Sequence, residues 1–477
     1  MPLLLPTIEE EGKISWLRVF YRYRLQFQAM ATASAISFAG GMKLAWSVFE
    51  KPTFDSPKLV VVHLLTIAWF VGVAAGAILA TGFVGRVTKN VANYTSGLML
   101  LLGGLLFCCT PNSYLAILSS CLLEGCAYGI NQIQSLATAG EVAHKDIRGL
   151  LVASERIFLW LGVSFQLLCT RLWFLNEPPS GYVMHVNQLH GLLVIFIALG
   201  AVAFNILHRF ESPIHLQRQG RDLAAKYVMK QLQNARYPSL ELAQNHGECK
   251  QLLVYDAGQS IGLTLRKYNV LPLLKLLLLR CYGTISLSLP VNRIFITASM
   301  TGLNCSMNCV YLLALCGLLG SILGAFCVDK YGRRRIAVIS LLFSGTCVFL
   351  MGGVLQYIYE EISEILLTHL TFELVVYLMC CYQLFSCAGV SLIASVYMSE
   401  AFTTAAKPFC LSILLVCEQT VQIMLALLVF YVDFNEPQFF FIMGVVGMLM
   451  GIITMFAMPE TMNTSLYESL QKFNGIP

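Results

Sequence analysis

The sequence predicts an all-α membrane protein: twelve transmembrane helices in two six-helix bundles, joined by a cytoplasmic helical linker. Three observations carry this. Of 477 residues, 57% are hydrophobic and 12% charged, about half the ~25% charge of a soluble globular chain. The apolar residues gather into runs close to the ~20 residues that cross a ~30 Å hydrocarbon core. Polar landmarks then recur in the second half of the chain in the order they take in the first.

The spans fall near 25–46, 59–83, 91–110, 114–140, 150–170, 189–208, 270–292, 305–327, 336–357, 374–398, 408–431 and 438–457. Met1 to Ile14 carries Glu9, Glu10 and Glu11 and no cleavage site, so the first span is expected to act as the insertion signal. With both termini cytoplasmic, roughly 23 of the 31 Lys and Arg lie on inner segments and about four on outer loops. The outer loop 358–373 carries Glu360, Glu361, Glu364 and Glu373 and no Lys or Arg. The densest cluster, "DKYGRRR" (329–335), therefore reads as a cytoplasmic turn. A plasma-membrane location is expected.

Most cysteines fall inside apolar spans, where they behave as small hydrophobes. Cys305 and Cys309 stand near the outer face within reach of one another. Asn304-Cys305-Ser306 is the one glycosylation sequon that would face outward. No CxxC pair or His/Cys cluster proposes a metal, and no cofactor or nucleic-acid partner is expected.

A polar stretch, 209–268, divides the spans six and six; segments such as "GRDLAAKYVMKQLQNA" read as short amphipathic surface helices. The expected units are 1–208, 209–268 and 269–477. The two halves share landmarks: "GRVTKN" (85–90) with "DKYGRRR", "GEVAHKDIRG" (140–149) with "SEAFTTAAKP" (399–408), and "FESP" (210–213) with "PET" (459–461). Three pairs at nearly one offset describe a duplicated six-helix unit, a design common among secondary transporters.

These motifs resemble the sugar porter branch of the major facilitator superfamily, whose patterns D-R-x-G-R-R, E-x-x-P-x-x-x-R-G, P-E-S-P-R and P-E-T follow the corresponding spans. The stretch "SFAGGMKLAWS" (37–47), through Gly41, Trp46 and Ser47, is similar to insect facilitated trehalose and glucose transporters. The resemblance implies alternating-access transport of a small polar solute, a sugar first, by a bilayer protein that is not an enzyme. It also implies an inner latch built from Asp329, Gly332, Arg333 and Arg334 with Glu400, Lys407 and Glu460. Its first-half counterparts are Glu141, Arg148 and Glu211. Asp329 is expected to face the N-terminus of a neighbouring helix, and the arginines to form bidentate pairs with Glu400 and Glu460.

The chain departs from that pattern. Gly85 stands where the first-half Asp belongs, Thr88 replaces Gly, and Lys89 alone keeps the charge. Cys121 takes an Arg position, although Gly125 and Gly129 keep small-residue spacing for close packing. His144 replaces Pro, Ile214 replaces the Arg of P-E-S-P-R, and Lys407 the second Arg.

By registry, the amides that hold sugar hydroxyls in the family fall on Arg156, Gly283, Thr284, Leu289 and Glu418. The span-ten stretch reads "GVSLIAS" and contributes Ser395. The cavity candidates are thus Arg156, Gly283, Thr284, Ser395 and Glu418.

Ionisable residues within spans are costly and point to function by default. Here they are Lys43, His63, Glu124, Glu155, Arg156, Lys275, Arg280 and Glu418. Lys43, His63 and Lys275 are expected to snorkel from helix ends. Arg156 and Glu418 are expected to approach one another across the cavity, and Glu155 to point elsewhere. Protons are candidate co-substrates, with Glu418 or Glu124 as carrier. Two rival readings stand beside the sugar carrier: an organic-ion carrier of the same fold, and a non-transporting sensor or partner protein.

Overall fold

The computed structural model describes residues 20–49, 59–84, 88–175, 185–208, 211–232, 240–257, 268–302, 309–361, 365–431 and 435–475. Gly85, and the pair Cys305 and Cys309 with its neighbouring sequon, fall wholly or in their side chains outside them.

Six long helices form the first half: α1 (Arg24–Phe49), α2 (Leu59–Phe83), α3 (Lys89–Cys109), α4 (Tyr114–Val142), α5 (Arg148–Leu175) and α6 (Val186–Leu207). Three short helices follow, α7 (Pro213–Arg218), α8 (Asp222–Leu232) and α9 (Leu240–Ala257), on the polar linker where surface helices were expected. The second half comprises α10 (Val270–Gly283) with α11 (Leu289–Gly302), α12 (Cys309–Tyr331) and α13 (Arg333–Glu361). It continues through α14 (Ile365–Phe385) with α15 (Leu392–Glu400), α16 (Lys407–Tyr431), α17 (Glu436–Ala457) and the terminal α18 (Leu466–Phe473). The face carrying α7–α9 and α18 is called the inner face below.

Among the described residues, ten helical stretches are long and apolar enough to cross a membrane. The helices outside that set, α1 and α4, have the length but carry Ser, Gln, Asn, Lys and Glu side chains. Both are buried along most of their course. A helix walled by other helices need not be apolar all round, because its polar groups meet protein instead of lipid.

The seventh span is broken. Pro290 has no N–H to give a continuous helix, and the chain passes through a tight turn of helix at Thr284–Leu287 and an extended Ser288 before α11. The tenth span carries a widened π segment, Ser386–Ser391, between α14 and α15. Gly389 lies there against α13; a Cβ would fall 1.8 Å from Ser340 Oγ.

Gly125 and Gly129 do bring two backbones together. Cβ atoms there would lie 2.4 and 2.3 Å from the carbonyl oxygens of Trp69 and Val73 on α2, so α2 and α4 pack at small-residue distance. Across the halves, α2 packs on α16 and α5 on α12.

The inner face is tied down by its own cluster. Ile214, Leu252 and Leu470 bury one another, joining α7, α9 and α18. Ser465 and Glu468 cap the start of α18 reciprocally, and Lys275 donates to the Phe473 carbonyl at 3.3 Å. Lys275 thus sits at the inner helix end, where it was placed from sequence.

Candidate functional site

A narrow cavity of about 20 Å³ lies where the halves meet. Its walls include Tyr128 and Gln132 on α4, Arg156 on α5, Thr284 after α10, and Glu418, Gln419 and Gln422 on α16. The lining comes from both halves, so movement of one against the other must reshape the cavity. Its volume is far below the ~300–1,000 Å³ of small-molecule sites, so the site is closed down on its lining in this structure.

The amide set is rebuilt from unexpected positions. Gln422 Nε2 donates to both the carbonyl and Oγ1 of Thr284, each at 2.7 Å. The Oε1 atoms of Gln132, Gln419 and Gln422 are buried without a hydrogen-bond partner. Three unpartnered acceptors on residues that line one small polar space suit hydroxyl groups. Registry counting missed them because they stand on other positions of α4 and α16. Their signal in the sequence was the row of amides at 131–134 and at 419–422 inside apolar runs.

The charges beside the cavity pair differently from the sequence expectation. Arg280 Nε, not Arg156, binds Glu418 Oε2, at 2.7 Å. Arg280 Nη1 reaches Ser395 Oγ at 3.1 Å, and Arg156 Nε reaches the same oxygen at 3.3 Å. Ser395 therefore sits between two guanidinium groups. Glu155 accepts from Tyr128 at 3.1 Å and lies 3.9 Å from Arg156 Nε. Arg156 and Glu418 do share the cavity, but each is balanced within its own half. Gly283 does not join them: its missing side chain faces Val390 and Ser391 on the tenth span.

At the inner face the second-half cluster bridges the halves. Asp329 Oδ1 and Oδ2 accept from the backbone N–H groups of Gly149 and Leu150, at 3.1 and 2.8 Å. Those are orphan donors of the first turn of α5, so a carboxylate there meets both the free N–H groups and the positive end of the helix dipole. Glu400 receives Arg148 Nη1 at 3.0 Å on one oxygen and Arg333 Nη1 on the other. Arg333 also donates to the carbonyl and Oγ1 of Thr461 at 2.9 and 2.8 Å.

Glu460 departs from its expected pairing. It accepts the backbone N–H groups of Arg333 and Arg334 at 3.0 and 3.1 Å and caps α13. Arg334 thus enters the latch through its backbone. Gly332, at φ +92°, makes the turn, and a Cβ there would meet Glu460 Oε2 at 2.6 Å.

The first half repeats the wiring at lower density. Lys89 binds Glu141 at 2.7 Å, Ser212 donates to Glu141, and Asn90 donates to Glu211 at 3.2 Å. Lys407 donates to the Ser399 carbonyl at 2.9 Å. At the opposite face, His63 stacks on Phe430 at 3.8 Å and meets the Tyr431 hydroxyl at 3.3 Å, while Tyr311 donates to the Leu167 carbonyl at 2.9 Å. The halves therefore touch at both ends of the cavity.

Two snorkelling expectations fail. Lys43 is fully buried against Glu124, Trp46 and Phe107, and His63 is buried in the stack just described. Both helix faces turn inward, which a linear hydropathy reading does not show. Gly41 and Trp46, which carry the finer trehalose-transporter resemblance, also sit in helix packing: Gly41 lies against the Leu159 carbonyl, and Trp46 donates to Asn187 at 3.2 Å.

The comparisons with known proteins agree with this architecture. The high-affinity gluconate transporter ght3 of Schizosaccharomyces pombe is 26% identical over 308 residues, 61% of this chain. The match spans about half of that relative, 52% of its length. The proton:xylose symporter XylE bound to 6-bromo-6-deoxy-D-glucose superposes with TM-score 0.75 at 17% identity, covering 94% of this chain and 98% of that one. A double-tryptophan XylE mutant gives 0.78 at 16% identity, with 94% and 99% covered. The inward open form of XylE from E. coli gives 0.60 at 16% identity, with 97% and 100% covered. The fold is that of the major facilitator transporters. With the model for "Sugar (and other) transporter" matching residues 21–473, the chain belongs to that family of multi-pass membrane proteins.

Proposed function

We propose that the protein carries a small, neutral, polyhydroxylated solute of the sugar class across a membrane by alternating access, with units 1–208 and 269–477 moving about the cavity. The observation that carries this is the cavity's lining: three glutamines from both halves carry unpartnered amide oxygens, and the charges beside it cancel. Arg156 and Arg280 are matched by Glu155 and Glu418. That balance counts against an organic-ion carrier, whose cavity needs an excess charge opposite to the solute's. A sugar acid is the second reading, because Arg156 Nη2 is buried without a hydrogen-bond partner beside the cavity and the curated relative is a gluconate transporter.

Orientation follows from the cations: the linker and both termini face the cytoplasm, and the plasma membrane is the proposed location. A kinship with insect trehalose carriers is also part of this reading. It rests on Gly41, Trp46 and Ser47 and concerns packing more than solute. Protons are the proposed co-substrate.

The test is uptake by purified protein in liposomes, with hexoses, pentoses, trehalose, gluconate and organic cations offered singly. Saturable uptake of one or more neutral sugars, lowered at least tenfold by Gln422→Leu, is the expected result. Uptake of organic cations alone overturns the reading, and no uptake of any solute by a folded preparation favours the sensor.

A further inference from the structure

Away from the central cavity, the first half encloses a second group of ionisable side chains. Lys43 on α1, Glu124 on α4 and His190 on α6 are 0%, 1% and 0% exposed. Glu124 Oε2 lies 3.9 Å from Lys43 Nζ and 3.5 Å from His190 Nε2. None of the three lines the cavity. Cys121, one turn before Glu124, faces the same ammonium. The remaining walls are Gly103 and Phe107 of α3, Trp46 of α1, Ser120 of α4 and Gln166 of α5.

The hydrogen atoms around His190 leave a gap. Gln166 Nε2 donates to Thr170 Oγ1 at 3.1 Å, so its oxygen faces His190 Nδ1, at 2.9 Å. In the neutral ring Nδ1 therefore carries the proton and Nε2 bears a lone pair. That lone pair points at Glu124 Oε2, which is itself an acceptor, and both atoms are buried with no hydrogen-bond partner. Glu124 is held in this pose: Ser120 donates to its other oxygen at 3.1 Å, and the side chain fills the space that Gly103 leaves, where a Cβ would stand 2.6 Å from Glu124 Cγ. Two facing acceptors sealed from water are costly. One proton between them satisfies both.

We propose that the Glu124–His190 pair is a proton-binding site, with Lys43 as its fixed counter-charge. The Lys43 ammonium sits 3.6 and 4.2 Å from the ring centres of Phe107 and Trp46, a cation–π setting that holds a charge without a hydrogen bond. With Lys43 charged, Glu124 ionised and His190 neutral, the cluster is neutral overall. The added proton goes to His190 Nε2, becomes the donor to Glu124 Oε2, and gives the cluster one net positive charge. The same helix, α4, carries Tyr128 and Gln132 into the solute cavity one and two turns further on, so a bond made or broken between α4 and α6 acts on a wall of that cavity. This bearing on transport rests on the carrier reading above; the proton itself does not.

Infrared difference spectroscopy of the purified protein between pH 5 and pH 9, with no solute present, tests the site. The wild-type protein should show an imidazole-to-imidazolium change coupled to a carboxylate band shift. His190→Gln should lose both together, and Glu124→Gln should move the midpoint of the histidine change by more than one pH unit. His190→Asn serves as a second variant, and gel filtration with thermal unfolding at pH 8 establishes that each protein is folded. Identical difference spectra in wild type and either histidine variant overturn the proposal. Because solute is absent, failure of the sugar reading leaves this result untouched.

Discussion

The two inner latches share a plan and differ in what they hold. In the second half, Asp329 caps α5 and Glu400 takes one arginine from each half, so the cluster spans the boundary between the units. In the first half, Lys89, Glu141, Asn90 and Glu211 bind one another and Ser212, all on one side of that boundary. Lys407, the positional equivalent of Arg148, donates to the Ser399 carbonyl while its ammonium stands beside Gly140 of α4. One cluster bridges the two halves and the other stays within the first; under the proposed carrier reading only the bridging one bears on alternation. The contacts differ in kind: Arg148 and Arg333 each place Nη1 on Glu400, whereas the Lys407 ammonium is taken by a backbone carbonyl.

The largest expected effect follows from the shared carboxylate. Glu400→Gln leaves the buried Arg148 and Arg333 without their anion, and losing one partner of a buried pair costs about 3–5 kcal/mol. The closed inner face should open, and limited proteolysis of the linker should speed up at least tenfold. Gly332→Ala comes next, because it forces a side chain into a left-handed turn against Glu460; a loss of roughly 1–3 kcal/mol should appear as a lower thermal midpoint. Glu141→Gln should do less. Its pair with Lys89 is largely buried, 12% exposed for each side chain, so some stability is lost, but the pair joins α3 to α4 within the first half. Proteolysis of the linker should hardly change.

The smallest effect concerns the turn between α4 and α5. Asp146 is held below the usual aspartate range by its hydrogen bond from His144, against the opposing effect of burial. A depressed carboxylate stabilises the fold above its unfolded value and loses that contribution as pH falls through the folded one. Asp146→Asn should lower the thermal midpoint slightly at pH 7 and flatten its decline below about pH 4.

The architecture was legible in the chain because helix length, charge placement and duplicated motifs are local signals. Asp329 before Gly332 and Arg333 announced a helix-end cluster, and the structure joins it to α5 as the motif implied. The cavity was less legible. Registry singled out Gly283, which faces the tenth span, and passed over Gln132, Gln419 and Gln422, because which face of a helix meets the cavity depends on tilt and on the break at Thr284–Leu287. Lys43 and His63 were misplaced for a related reason: hydropathy along one chain does not reveal which neighbouring helices cover a charge. Arg280 was noticed as an intramembrane cation but not paired, since its partner Glu418 lies on another helix far along the sequence.

The central claim is that the second-half cluster, more than the first-half one, holds the inner face shut. Electron–electron distance measurements between spin labels on unnatural residues at positions 145 and 330, one on each half, test it directly. The account predicts a single short distance in the wild-type protein and in Glu141→Gln, and a second, longer population in Glu400→Gln. Equal broadening in both variants, or none in Glu400→Gln, would contradict it.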